Sequence, residues 1–108
     1  MNTSSFEIQV KDLADAEKFY RFIFQKKGRK QKGKRFLFKL PCAEIYLTEK
    51  KQLHHSVQEF MLVVDQLEHY YARFKAFDPG LVLHGLYEVP GQFTALDPFG
   101  NKLTLMQK

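Results

Sequence analysis

In the first half of the chain, the pattern of hydrophobic and polar residues is first that of a strand and then that of a helix. Residues 6–10 alternate apolar with polar side chains, which predicts a strand with one buried face. Hydrophobic residues then recur at three- and four-residue spacing from Leu13 to Phe24, which predicts an amphipathic helix with Asp12 as its N-cap. Three further strands complete a predicted β-α-β-β-β unit: 36–40, 43–48 and a short one within 26–35.

The second half of the chain repeats the first. Residues 60–64 correspond to residues 6–10 at a constant offset, and helical spacing returns over 67–77. Asp65 and Glu68 predict a capping box at the start of this second helix. Three strands follow at 81–84, 93–96 and 102–106. The repeat predicts one domain over 1–108, made of a first unit at 5–49, a linker at 50–58 and a second unit at 59–108.

The turn before the last strand has a distinctive sequence, Asp97-Pro98-Phe99-Gly100-Asn101. Proline fixes φ, glycine tolerates a positive φ, and Asp or Asn side chains bond to the local backbone. The segment therefore predicts a tight hairpin that places the last strand beside the one before it.

These features together resemble the vicinal oxygen chelate superfamily, which includes glyoxalase I, bleomycin-resistance proteins, fosfomycin-resistance enzymes and extradiol dioxygenases. The resemblance rests on Val10-Lys11-Asp12-Leu13 before a helix containing Phe19-Tyr20, on the duplicated unit, and on the Asp97-Pro98-x-Gly100-Asn101-x-Leu103 hairpin. It implies an α+β fold in which two β-α-β-β-β units with curved mixed sheets form a cup-shaped cavity.

The resemblance also identifies where a metal would be bound. In the metal-dependent members, four positions supply His, Gln or Glu ligands, and by register these fall on Ser5, Tyr46, Glu59 and Thr104. Of these four side chains only the Glu59 carboxylate is an ordinary ligand for a divalent metal. The comparison implies a degenerate metal site, with no metal and no other cofactor.

Strand alternation predicts which side chains face the cup. We expect the aromatic rings of Tyr46, Phe38, Tyr87 and Phe93 to offer stacking to a bound molecule. The leading hypothesis is a metal-independent protein that binds and sequesters a small molecule, comparable to bleomycin-resistance proteins. The predicted ligand-binding residues are Ser5, Glu7, Glu44, Tyr46, Glu59, Met61, Lys102 and Thr104.

An enzyme is the main alternative. This enzyme would be a lyase, isomerase or dioxygenase with a nonstandard metal site around Glu59. The Glu59 carboxylate is its best candidate catalytic residue, and desolvation would favour the action of this carboxylate as a base. Glu59 is equally an edge carboxylate paired with Lys102. His54 and His55 precede it, although adjacent histidines point to opposite sides of an extended chain. His69 is predicted on the outer face of its helix, and His84 either in the core or at the cup rim.

The positive charge is concentrated in one segment. The formal net charge is +5, and seven Lys or Arg residues lie between Lys26 and Arg35, so the rest of the chain is mildly acidic. The segment is predicted to be a solvated loop or edge strand, in which lysine discourages sheet-to-sheet association. A further alternative is an interaction module for anionic partners; nucleic acid is disfavoured because no aromatic residue alternates with these charges.

Composition bounds the remaining classes. The chain has 108 residues, 44% of them hydrophobic, which suffices for one core, and no apolar run approaches the roughly 20 residues of a membrane span. The single cysteine, Cys42, cannot form an internal disulfide and is predicted to be buried or inert, so a cytoplasmic protein is expected. The resemblance implies a homodimer, and the sequence leaves open whether one chain or two complete each cup.

Overall fold

The structure, a computed structural model, describes residues 4–41, 43–50 and 58–108. The chain divides into two compact units, Met1–Ser56 and Val57–Lys108. Over the described residues each unit contains a four-stranded sheet and one α-helix. Of the predicted linker 50–58, residues 51–57 lie outside the described ranges.

The first unit has a mixed sheet in the order β1-β4-β3-β2. Its first and last strands, β1 and β4, pair in parallel, with β1 at one edge of the sheet and β4 inside it, and the other neighbours are antiparallel. The short strand predicted within the basic segment is present as β2, at the sheet edge. The elements are β1 (Ser4–Val10), α1 (Leu13–Phe24), β2 (Arg29–Gln31), β3 (Arg35–Leu40) and β4 (Ala43–Glu49).

The second unit repeats this topology in the order β5-β8-β7-β6, with β5 parallel to β8. The α+β architecture of two tandem β-α-β-β-β units is therefore confirmed. No helix in the described part of the chain is long and apolar enough to cross a membrane. The elements are β5 (Glu59–Val64), α2 (Leu67–Phe77), a 3-10 turn (Pro79–Leu81), β6 (Val82–His84), β7 (Gln92–Leu96) and β8 (Lys102–Gln107).

Each helix packs its hydrophobic stripe on one face of its own sheet. In the first unit the fully buried ring of Tyr20 stacks on Phe24 at 5.4 Å between centroids, and Phe24 meets Phe38 of β3 edge-on at 5.5 Å. In the second unit Phe74 of α2 meets Phe93 of β7 edge-on at 5.6 Å. Each fully buried aromatic side chain stabilises the fold by about 2–3 kcal/mol. Because each helix covers a single face, the other face is defined by the opposite strand positions.

The last strand of each unit also holds the start of its helix. At the end of β4, Glu49 Oε1 accepts a hydrogen bond from the Leu13 N–H at 3.3 Å, while Oε2 pairs with Lys34 at 3.2 Å. At the end of β8, Gln107 Oε1 accepts from the Leu67 N–H at 2.9 Å. These N–H groups have no partner inside a helix, so the strand ends satisfy them. The same device recurs in both copies of the repeat.

The two helices differ in their N-caps. The predicted cap of α1 is confirmed, because Asp12 Oδ1 accepts from the Asp15 N–H at 3.1 Å. The capping box predicted for α2 from Asp65 was wrong. The cap position is Gln66, which has a left-handed backbone (φ 58°) and makes no side-chain cap. The distant Gln107 amide replaces the local cap, and a local sequence pattern cannot reveal such a partner.

The predicted hairpin between β7 and β8 is centred on a buried carboxylate. Asp97 is only 2% exposed; its Oδ1 accepts from the N–H groups of Phe99 (2.9 Å) and Asn101 (2.8 Å), and its Oδ2 accepts from the Asn101 side-chain amide (2.8 Å). Gly100 takes a positive φ of 89°. A carboxylate with several N–H donors is well solvated inside the protein, which fixes the turn and the register of β8.

Replacing Asp97 tests this turn. Asp97→Ala should lower the free energy of unfolding by about 3 kcal/mol, because it leaves buried amides of Asn101 without an acceptor. Asp78→Ala is the matched control: Asp78 also precedes a proline, but it is exposed and accepts one bond, from Gly80 at 2.9 Å. Its loss should be about 1 kcal/mol. Denaturant unfolding measures both, and equal losses would contradict the structural role of Asp97.

The Glu49 contact predicts a pH dependence. The Leu13 N–H, followed by Lys34, lowers the pKa of Glu49 below its ordinary value of 4.5. A lowered pKa in the folded state stabilises the protein above about pH 4.5 and loses this effect as pH falls through the folded value. The advantage of wild type over Glu49→Gln, which copies the arrangement at Gln107, should therefore shrink below pH 4.5. Unfolding curves between pH 7 and 3 measure it; a constant difference would contradict the assignment.

Candidate functional site

The candidate sites are the sheet faces opposite the helices, called here the open faces. In the first unit, strand register places Ser5 and Glu7 of β1 beside Glu44 and Tyr46 of β4 on this face. From β3, Arg35 and Lys39 share it because they lie opposite Thr48 and Glu44. The face therefore combines carboxylates, cations and one aromatic ring. Ser5, Glu7 and Lys39 are exposed, and Arg35, Glu44 and Tyr46 are half-buried.

Tyr46 is the central aromatic residue of the first open face. The Arg35 guanidinium lies over its ring, 4.5 Å from the centroid, and Glu7 lies beside it in the β1–β4 register. Next along β4, the Thr48 hydroxyl is buried and has no hydrogen-bond partner among the described residues. A buried hydroxyl without a partner costs free energy, so a polar group brought to it gains affinity.

The second open face is more apolar. Met61 is 59% exposed and Val63 is 42% exposed on β5, next to Thr104 and Met106 in the register with β8. At one end of the face, Lys102 Nζ lies 3.7 Å from Glu59 Oε1. An exposed apolar row with a charged rim is typical of a binding surface rather than of ordinary solvent-facing strand.

The hydroxyl of Thr104 has a partner on its own sheet. Its Oγ1 lies 3.1 Å from the Oγ1 of Thr94, the residue directly opposite on β7. Thr94 is buried and Thr104 is half-buried. The pair fixes both hydroxyls across the strands, and sequence reasoning about Thr104 alone missed it because the partner comes from another strand.

The side chains at the four positions where the sequence resemblance implies metal ligands do not fit a divalent metal. Hydroxyl groups at Ser5 and Thr104 are poor ligands, and Tyr46 is covered by a guanidinium. The Glu59 carboxylate is 67% exposed and is paired with Lys102. Over residues 4–41, 43–50 and 58–108, no three His, Cys, Asp or Glu side chains are grouped so that they could hold a metal ion.

The sequence-predicted site residues fall into two groups, one on each open face. Their sharing of a face follows the predicted alternation, while their role in binding stays a prediction. The Glu59–Lys102 ion pair considered from the sequence is present. The first face carries Ser5, Glu7, Glu44 and Tyr46, and the second carries Glu59, Met61, Lys102 and Thr104.

The predicted aromatic contribution to the cup was wrong for Phe38, Phe93 and Tyr87. Phe38 and Phe93 are fully buried against the helices, because they lie opposite the core residues Ile45 and Leu105. Tyr87 is 96% exposed in the segment between β6 and β7 and lines a groove with Leu67 and Tyr71 of α2, away from the open face. The residues that the sequence missed, Arg35 and Thr94, become visible only once β3 and β7 are aligned against their neighbours.

The histidines and the cysteine offer no site in the described ranges. His69 is exposed on α2, as predicted. His84 is also exposed, at the sheet edge, with Nδ1 3.3 Å from Glu88 Oε2, so it is not a core residue. Cys42, His54 and His55 lie outside the residues that the structure describes.

The basic segment splits between the two faces of the first sheet. Arg29 and Arg35 lie on the open face, whereas Lys30 lies on the helix side because it is opposite Phe36. Lys26 Nζ donates to the Lys39 carbonyl at 2.7 Å. The segment therefore contains an edge strand, the second of the two predicted alternatives, and its charges lie on both faces of the sheet.

Solved structures show what this fold is similar to. TioX from Micromonospora sp. ML1 aligns with a TM-score of 0.81 at 11% identity, over 99% of this chain and 98% of that one. A lactoylglutathione lyase from Agrobacterium tumefaciens (TM-score 0.72, 20% identity) aligns over 98% and 92% of the two chains. A glyoxalase/bleomycin resistance protein from Albidiferax ferrireducens T118 (0.70, 21%) aligns over 97% of each. This chain has the vicinal oxygen chelate fold. No protein-family model matches the sequence, and no curated protein matches it.

A double-mutant cycle tests the Thr94–Thr104 pair. Thr104→Val should cost about 1 kcal/mol of unfolding free energy, because the buried Thr94 hydroxyl loses its partner. Thr94→Val should cost a similar amount, and the double variant should cost less than the sum of the two. Denaturant unfolding measures the coupling. Strict additivity would show that the hydroxyls act independently, against the arrangement described.

Proposed function

We propose that this protein binds a small molecule without a metal ion, through the open faces of its sheets, and sequesters it. The vicinal oxygen chelate fold supports a glyoxalase/bleomycin-resistance-like protein. The four family metal positions hold Ser5, Tyr46, Glu59 and Thr104, three of which have partners on their own sheets. That pairing is the observation on which the metal-independent proposal rests.

The first open face suggests the chemistry of the ligand. Tyr46 and Arg35 form a half-buried cation–π pair, and the carboxylates of Glu7 and Glu44 lie on the same face. Such a surface suits a compound with an aromatic ring and cationic or hydrogen-bond-donating groups. The unpartnered Thr48 hydroxyl adds one polar contact.

The second open face supports the apolar part of the proposal. Met61, Val63 and Met106 present flexible or branched apolar groups beside the Thr94–Thr104 pair. Methionine adapts to irregular ligands because its side chain is unbranched and polarizable. Taken by itself, this second face favours a ligand with an extended apolar portion. The homodimer and the cytoplasmic location remain predictions from the sequence.

A screen by thermal shift tests the proposal. Aromatic and cationic metabolites are added to protein treated with a chelator, and at least one should raise the melting temperature by binding the folded state. Tyr46→Ala should weaken the binding of such a compound by about tenfold, since stacking and cation–π contacts are lost. Tyr87→Ala, which removes an exposed ring outside the open faces, should leave its affinity within about twofold.

The same screen tests the alternative of a metal-dependent enzyme with its site around Glu59. If the alternative around Glu59 holds, Zn²⁺, Ni²⁺, Fe²⁺ or Mn²⁺ should raise the melting temperature and Glu59→Gln should abolish this rise. Stabilisation by metals alone, with no organic compound active, would overturn the metal-independent proposal. Equal weakening by Tyr46→Ala and Tyr87→Ala would overturn the proposed location.

A further inference from the structure

A groove lies on the helix side of the first sheet, opposite its open face. It runs between α1 and the β2–β3 hairpin and has a volume of about 630 Å³. Ligand pockets for small organic molecules have volumes in the range of about 300–1,000 Å³. The groove is lined in part by the apolar side chains of Leu13, Ala14 and Phe36. We call it the hairpin groove.

Four cations border the hairpin groove. Arg21 lies 3.5 Å from Glu17 and Lys34 lies 3.2 Å from Glu49, so these two have carboxylate partners. Lys18 and Lys30 also line the groove, and neither makes an ion pair within the described ranges. Two ammonium groups are thus left to attract an anion.

Glu17, which lines the groove, also carries an acceptor without a donor. The Glu17 side chain is only 13% exposed, and its Oε2 is buried with no hydrogen-bond partner among the described residues. Its Oε1 faces Arg21. A buried carboxylate oxygen without a donor is costly, and an N–H group from a ligand would satisfy it.

We propose that the hairpin groove binds a mononucleotide whose base carries an amino group. The phosphate is held by Lys18 and Lys30, the base lies against Leu13 and Phe36, and its amino group donates to Glu17 Oε2. A small anion alone would leave the apolar wall and the acceptor unused. This site is independent of the open faces, because Lys30 and Phe36 point to the other side of the sheet from Arg35.

Calorimetric titration at low salt tests the proposal with four probes. AMP should bind more tightly than adenosine, which lacks the phosphate, and more tightly than inorganic phosphate, which lacks the base. A single-stranded DNA oligonucleotide is the fourth probe. Three results would each overturn the assignment to a mononucleotide. They are the absence of AMP binding, phosphate binding as tight as AMP binding, and oligonucleotide binding that is tighter per phosphate than AMP binding.

Charge variants locate the phosphate. Lys30→Ala should weaken AMP binding about tenfold, because a charge-assisted hydrogen bond is lost. Lys32→Ala is the matched control: it removes the same charge from the same hairpin, but Lys32 is exposed in the turn and does not line the groove. Its effect should stay within about twofold. Equal effects of the two variants would show general attraction to the basic hairpin and overturn the site.

Substitutions of Glu17 distinguish the proposed site from a general attraction of anions most sharply. Glu17→Met keeps the side-chain volume while removing the acceptor and one negative charge. If charge alone governed binding, every anion would bind more tightly to this variant. The proposal predicts the opposite for AMP, about fivefold weaker binding, with adenosine weakened as well. Glu17→Gln, which keeps an oxygen acceptor, should retain more AMP affinity than Glu17→Met; tighter AMP binding in both would overturn the proposal.

Discussion

Parallel pairing between the first and last strands of each unit is the interaction on which the rest of the fold depends. β1, at one edge of the first sheet, lies against β4, and β5, at one edge of the second, lies against β8. A parallel pair requires a long connection, which the helix and the two intervening strands supply. The end of the last strand then returns a side chain to the helix N-terminus, from Glu49 in one unit and Gln107 in the other.

This arrangement also decides where chemistry is possible. The helix buries one face of each sheet, so alternation leaves Tyr46 and Thr104 on the other face. There each is engaged by a side chain from a neighbouring strand, Arg35 or Thr94. Both side chains are thus engaged in contacts within their own sheet. Binding through polar, aromatic and apolar groups is what these faces can still provide.

The architecture could be predicted because it follows from local sequence patterns and from their repetition. The alternation of 6–10, the N-cap at Asp12 and the Asp97 turn are short-range features, and the structure agrees with each. The failures involve partners from distant strands. The cap of α2 comes from Gln107, and the burial of Phe38 is set by its alignment with β4. The hairpin groove could not be predicted from the sequence, because Glu17 and Lys30 line one groove only when the helix lies beside the hairpin.

Metal-independent binding at the open faces is tested most directly by a ¹⁵N–¹H NMR titration of chelator-treated protein with a compound that raises its melting temperature. Shift changes should concentrate on open-face residues, including Glu7, Tyr46 and Thr48 in the first unit and Met61 and Thr104 in the second. Amides of α1 and α2 should change little. Changes confined to the helices, or changes that appear only after a divalent metal is added, would contradict metal-independent binding at the open faces.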